Sequence, residues 1–528
     1  MLDFTPLLSL FARRRLEALG NQDVCETQHQ QLLRLVRQAR RTRFGQDHDL
    51  ATVRSVADFQ DRVPIRTYED FWGEYWSPVF PDVRGQTWPT AVRFMATSSG
   101  TTTGRTKYLP VSDEMIRANK RAAIDIAVHH LANFPESRLL AGKTFMLGGS
   151  TAFGDLGSGI RAGDLSGIAA STQARWMRAF SFPPPELALM EDWEEKLETL
   201  ARLSLKQRIS MISGTPAWLL ILFERLHELT GGAAPFPDLQ LLVHGGVAWD
   251  LYRERFQPFL DQVGARTREV YPASEGFIAV ADRGGGEGMR LIADNGIFFE
   301  FVPLSELGAE RPIRHWVGNL EPGEDYAIVL TTNSGLFAYQ IGDTVRFADR
   351  DPPRLLITGR TSYMLSAFGE HLIGEEIDRA VNAAARATGL TVNEYCVGPV
   401  LSRDRNATGH HRFIVETDTP AMNPMIALRA ALFRDTIDRT LDQSSRDYGT
   451  HRRNGVGMGP PVLRFVDPGT FARWMATKGK AGGQNKVPRV IADPTRFTMM
   501  TGEIGAEGPC FQFPPQDADN LDGLQKSA

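Results

Sequence analysis

Three cysteines in 528 residues, Cys25, Cys396 and Cys510, are too few and too far apart for a disulfide framework or a Cys-x-x-Cys metal site, and they point to a reducing cytoplasm. Charge of one sign is equally scarce. With 59 basic and 63 acidic residues the net charge is −4, and no dense basic tract occurs, which argues against a nucleic-acid partner. No apolar run approaches the roughly 18 residues of a membrane span. The opening MLDFTPLLSLFARRRLEALG carries its arginines after its short apolar stretch, the reverse of a secretory leader, so an amphipathic helix of a soluble protein without a membrane partner is expected. Also missing are H-E-x-x-H, G-x-S-x-G and the P-loop G-x-x-x-x-G-K-[ST]. The pairs His129–His130 and His410–His411 are adjacent residues whose side chains diverge on a helix or a strand alike, and are expected to be ordinary.

What is present is an ordinary globular composition, 42% hydrophobic and 23% charged, and one unusual stretch. Residues 97–107 read TSSGTTTGRTK. Glycine admits close approach of backbone N–H groups, Ser and Thr add rotatable donors, and Lys107 adds a point charge, a set suited to an oligophosphate. Gly100 and Gly104 enclose only three residues, so this is no P-loop, and on its own the stretch reads equally well as a polar surface loop.

Residues 1 to about 90 carry helical patterns, with Leu32, Leu33, Leu35 and Val36 on an apolar face. Arg13–Arg15 and Arg34, Arg37, Arg40, Arg41 and Arg43 read as solvated helix faces. Then VRFMATSSGTTTG is a strand running into the hydroxyl loop, followed by a helix that Ser112 caps. LQLLVHGGVAWDLYRERFQPFL repeats the pattern of strand, turn and helix, and TREVYPASEGFIAVA is a strand leading to a loop with Glu275. Loops beyond the carboxyl ends of such strands converge on one crevice in open α/β sheets. Two hairpins are expected next, turning at Asn295–Gly296 and at Ser334–Gly335, as a β-barrel-like part. Near residue 362 the texture changes to strands such as NEYCVGPV and HHRFIVETD alternating with helices, with a polar tail from about 515. The expected fold is α/β, a large N-terminal domain over 1–362 and a smaller α+β domain over 363–528.

In that order, TSSGTTTGRTK, YPASE, LEPGEDYAIVLTT, YQIGD, LSAFGEH and QNKVPR resemble the auxin-responsive acyl-acid amido synthetases, a branch of the adenylate-forming enzymes, as a member of bacterial type; the likeness spans roughly residues 30 to 495. The resemblance implies a large adenylating domain with a mobile C-terminal domain. It also implies two steps. A carboxylic acid and ATP, with Mg²⁺, give an acyl-adenylate and pyrophosphate; an amine, usually of an amino acid, then displaces AMP to leave an amide. Such a reaction needs positioning and neutralisation of phosphate charge.

Residue by residue, Ser98, Ser99, Gly100, Thr101 and Thr102 match the family's phosphate loop, closed by Lys107. In YPASE, Glu275 matches the acid that holds Mg²⁺, Tyr271 would lie against the adenine face, and Ser274 joins the nucleotide site. Asp343 in YQIGD matches the carboxylate that accepts both ribose hydroxyls. Gly245 and Gly246 lie where the family runs backbone past the adenine or α-phosphate, and serve equally well as a structural turn. Arg360 is expected at ribose or phosphate, and Lys486 in QNKVPR matches the basic residue a mobile domain brings to the α-phosphate, with Lys478 and Lys480 as rivals. The plant pattern after the hydroxyl loop is broken by Thr103, Arg105 and Thr106, and SAFGEH replaces an acidic junction, so plant-type substrate choice does not transfer. The Gly-rich stretch 146–167 is expected to line the acyl pocket. A ligase passing the acyl group to coenzyme A or a carrier thiol remains an alternative, as does a binder without turnover; the motifs leave the acid, the acceptor and the oligomeric state open.

Overall fold

Strands buried on both faces read as continuous apolar runs, and five of them make the parallel half of the main sheet. In the computed structural model these are Ser181–Phe182, Lys143–Leu147, Ile209–Gly214, Leu241–Gly245 and Arg266–Ala273, side by side in that order. The sheet continues, mainly antiparallel, through Gly276–Val280, Met289–Leu291, Pro353–Arg360, Tyr339–Arg350, Asp325–Thr332, Ile297–Pro303 and His315–Trp316. The antiparallel strands expected as a barrel-like part are thus continuous with the parallel ones. The residues described are 3–511 apart from 100–105, 149–152, 174, 189, 191–192, 247–248, 250–251, 362–364, 366, 369, 371, 402–408, 446–447, 450–451, 453–457, 479–486 and 505–509.

The chain divides into two compact units, Met1–Thr358 and Gly359–Ala528. The first also holds a four-stranded sheet in which Phe94–Ser99 pairs antiparallel with Thr106–Val111 and parallel with Ile160–Gly163. As expected, Ser112 caps the helix Asp113–Asn133, accepting from Met115 N–H. The second unit is built on Val392–Val400, His410–Thr417, Val462–Val466 and Cys510–Phe511, with the helices Gly374–Thr388 and Pro424–Ser444. Among the described residues no helix is long and apolar enough to cross a membrane.

Two expectations are corrected. Asn295–Gly296 turns the chain, Gly296 at φ +80°, but makes no hairpin: Met289–Leu291 pairs with Gly276–Val280 and Pro353–Arg360, while Ile297–Pro303 pairs with His315–Trp316 and Asp325–Thr332. Asn295 is buried and donates to the carbonyl of Phe277, and Gly296 lies so close to Asn333 that a Cβ would meet its side chain at 2.0 Å; the turn therefore crosses the sheet. Arg15 is no solvated residue either. Its guanidinium donates at 2.8 Å to both Asp125 and Asp294, with a side chain 13% exposed.

Candidate active site

The two described arms of the hydroxyl stretch pair antiparallel. Register sets Ser98 opposite Lys107 and Ser99 opposite Thr106, and directly opposed residues share a face, so the half-buried Ser98 and Lys107 belong to one side of the ribbon. Gly100, Thr101 and Thr102 lie outside the described residues. Lys107 Nζ sits 5.3 Å over the ring of Tyr68, a cation–π contact. The Tyr68 hydroxyl accepts from Tyr108 N–H at 2.9 Å, and burial pushes that phenol up to about 12, so it stays protonated at neutral pH. Sequence reading missed Tyr68; the signal was the capping box Thr67–Asp70 that opens its helix. At the far end of the ribbon, the Ser112 hydroxyl donates to the Asn333 carbonyl at 2.6 Å.

A second group gathers at the carboxyl edge of the parallel strands. Gly245 ends its strand opposite Val270, whose carbonyl oxygen would stand 2.3 Å from a Cβ, so only glycine fits. Gly246 is different: it is exposed, at φ +81°, with open space where a Cβ would point. On the adjoining strand stands Tyr271, after which Ser274 and Glu275 form a tight turn into Gly276–Val280 rather than the expected loop. Glu275 is a buried carboxylate there, 8% exposed, and Ser274 is half-buried.

Asp343 arrives from the antiparallel half. In the pairing of Asp325–Thr332 with Tyr339–Arg350, Ala327 faces Thr344 and Val329 faces Gln340, so Ile341, Gly342 and Asp343 bulge opposite one residue, Gly342 at φ +93°. The bulge turns Asp343 to Tyr271, whose hydroxyl donates to its Oδ2 at 2.5 Å. Tyr271, expected against an adenine face, has its ring only 5% exposed in the core. The structure thus joins Asp343 to Tyr271 by this hydrogen bond, with Gly245 paired to the neighbouring Val270 and Ser274 and Glu275 in the turn that follows.

The later candidates belong to the second unit. Arg360, half-buried, closes the strand Pro353–Arg360. Lys478 is ion-paired with Glu503 at 2.7 Å, while Lys480 and Lys486 lie outside the described residues. Beside the Gly-rich stretch, a cavity of about 10 Å³ touches Met146, Gly148, Ser166 and Lys196, space for a water rather than an acyl group.

Comparison with known proteins places the chain. The pattern of the GH3 family N-terminal domain matches residues 13–228, that of the GH3 family central domain residues 290–360, and that of the GH3 family C-terminal domain residues 375–495. The chain belongs to the GH3 family. Among GH3 relatives, a probable indole-3-acetic acid-amido synthetase of Oryza sativa subsp. japonica is 26% identical over 231 residues, 40% of this chain and 50% of that protein. The match thus spans only half the length of that relative. A jasmonoyl–L-amino acid synthetase of Nicotiana attenuata is 22% identical over 90% of this chain and 93% of its own. The solved GH3.15 acyl acid amido synthetase shares the fold with a TM-score of 0.73 at 17% identity, covering 95% of this chain and 97% of that one. A 2-hydroxyisobutyryl-CoA ligase, in complex with 2-HIB-AMP in its postadenylation state, shares it at 0.57 and 16%, with 90% of each chain covered. The fold is therefore that of adenylate-forming enzymes, a large N-terminal and a smaller C-terminal domain.

Proposed function

We propose that this GH3 protein is an ATP-dependent ligase that activates a carboxylic acid as its acyl-adenylate and transfers the acyl group to an amine, in particular that of an amino acid. The observation that carries the reading is the hydrogen bond that ties the Asp343 carboxylate to Tyr271, on the strand beside Gly245 and just before the turn that holds the buried Glu275. Beyond the carboxyl ends of parallel strands is where open α/β sheets bind nucleotides. There Asp343 accepts from the ribose hydroxyls, Gly246 leaves room beside the nucleotide, and Ser98 and Lys107 of the hydroxyl stretch meet the phosphates. Hydroxide is a poor leaving group and AMP a good one. A carboxylate oxygen of the acid bonds to the α-phosphorus as pyrophosphate leaves; the amine nitrogen then bonds to the acyl carbon as AMP leaves, and the amine proton passes to solvent.

Among the described residues no group of three or more His, Cys, Asp or Glu side chains is placed to hold a metal. A Mg²⁺ carried by substrate phosphates needs only one or two carboxylates, and Glu275 fits that demand. When bound, Mg²⁺ neutralises phosphate charge. Arg360, at the domain junction, and Lys486, in the second domain over 363–528, are proposed to reach the nucleotide, the latter as that domain moves between the half-reactions. The cysteine count suits a cytoplasmic setting.

The test is acid-dependent exchange of labelled pyrophosphate into ATP over a panel of carboxylic acids, followed by addition of amino acids or coenzyme A. Exchange followed by amide formation is expected. A thioester product would favour the acyl-CoA reading that the fold likeness to a CoA ligase supports, and absence of exchange with every acid would leave a binder without turnover.

A further inference from the structure

The nucleotide reading does not by itself account for the hydroxyl of Tyr271. A phenylalanine would fill the same buried space, yet the phenol makes a bond between parts of the chain 72 residues apart. Three strands lie between the two partners in the sheet: Gly276–Val280, Met289–Leu291 and Pro353–Arg360. Four inter-strand steps would put their backbones about 19 Å apart on a flat sheet, so the hydrogen bond exists only because the sheet curls there. At one end of it, Tyr271 is buried and lies opposite Ala279, just past a one-residue register shift at Ile278, and next to Val270, which faces Gly245. At the other end, Asp343 sits in a bulge, where the ladder that normally fixes a residue's orientation is interrupted. A carboxylate that must accept two neighbouring hydroxyls needs its plane set, and here a buried donor is aimed at one of its oxygens.

We propose that Tyr271 is a positioning residue for nucleotide recognition: its hydroxyl orients the Asp343 carboxylate toward the vicinal hydroxyls of a ribose. This rests on the nucleotide reading above. The ring then serves the site through its hydroxyl oxygen.

The test compares wild type and Tyr271→Phe in pyrophosphate exchange with ATP and with 3′-deoxy-ATP, alongside thermal melting. Loss of a hydrogen bond to a charged group predicts an ATP KM raised about tenfold or more. The preference for ATP over 3′-deoxy-ATP should collapse toward unity, while kcat at saturating ATP stays within about twofold because the ribose lies away from the reacting phosphorus. A folded variant that keeps both its ATP KM and its preference, or that loses kcat alone, overturns the proposal. In a double-mutant cycle with Asp343→Asn the two effects should be less than additive, and additivity overturns it as well. If Tyr271→Phe does not fold, Asp343→Glu moves the carboxylate off the phenol while keeping its charge, and retained discrimination against 3′-deoxy-ATP would be the contrary result. Failure of wild type to exchange with any acid strikes the ligase reading instead, a separate outcome.

Discussion

Asp343→Ala removes the carboxylate on which both the nucleotide reading and the contact to Tyr271 depend. Each hydrogen bond to a charged acceptor is worth about 1.5–3 kcal/mol, so the ATP KM is expected to rise by an order of magnitude or more. An unchanged KM in initial-rate exchange assays would take Asp343 out of the site. Glu275→Gln keeps shape but loses charge at a carboxylate 8% exposed, and is expected to shift the Mg²⁺ dependence of exchange to higher concentration without weakening the fold. A titration that superimposes on wild type would reject Glu275 as the metal's partner. Residue types were legible in the sequence, since Asp, Glu and hydroxyl groups have few alternatives for these tasks. Their partners were not. Arg15 has the spacing of a solvated helix face, and the carboxylates that bury it come from positions 125 and 294. Likewise Tyr271 reveals its bond to Asp343 only once the sheet has curled.

Elements show the same division between local and distant causes. The cap at Ser112 and the Ser334–Gly335 turn between two paired strands depend on neighbours in sequence and were readable from them. Asn295–Gly296 carries an equally good turn signal, but whether a turn makes a hairpin depends on which strands its arms find, here distant ones. The adjacent glycines 245 and 246 carry no sequence mark of their different constraints, and substitution separates them. Gly245→Ala drives a Cβ into the Val270 carbonyl at 2.3 Å, within the pairing of two central strands, and is expected to destabilise by about 1–3 kcal/mol in urea unfolding. Gly246→Ala meets open space, so its cost is the left-handed backbone alone, about 1–2 kcal/mol. The second variant should still fold readily and lose ATP affinity if the nucleotide passes close to that peptide. Equal stability of Gly245→Ala and wild type would contradict the packing described.

At the scale of the whole molecule, the alternation of strand and helix was visible because it rests on periodicity, whereas the continuity of one twelve-stranded sheet rests on pairings that periodicity does not encode. The buried histidines give this large first unit a response to acid. His130, fully buried, is held down to about 4 and His244, 2% exposed, to about 3, both by desolvation; His129 is lowered for the same reason. An unfolded histidine titrates near 6.5. Between that value and the folded ones the unfolded chain binds protons that the folded chain refuses, so stability rises with pH across the window and drains away on acidification. Each such histidine contributes a slope of roughly 1.4 kcal/mol per pH unit. His244 isolates the effect. Its ring stacks on Trp249 at 3.9 Å and 13°, and its buried Nδ1 has no hydrogen-bond partner among the described residues, so His244→Phe keeps the stack and cannot take up a proton in either state. Urea unfolding of the first unit, followed by tryptophan fluorescence at intervals from pH 7 to 4.5, should show stability falling less steeply in the variant by about that slope below pH 6. Parallel curves for variant and wild type would mean that His244 titrates alike in both states, and that its burial is not what opposes protonation.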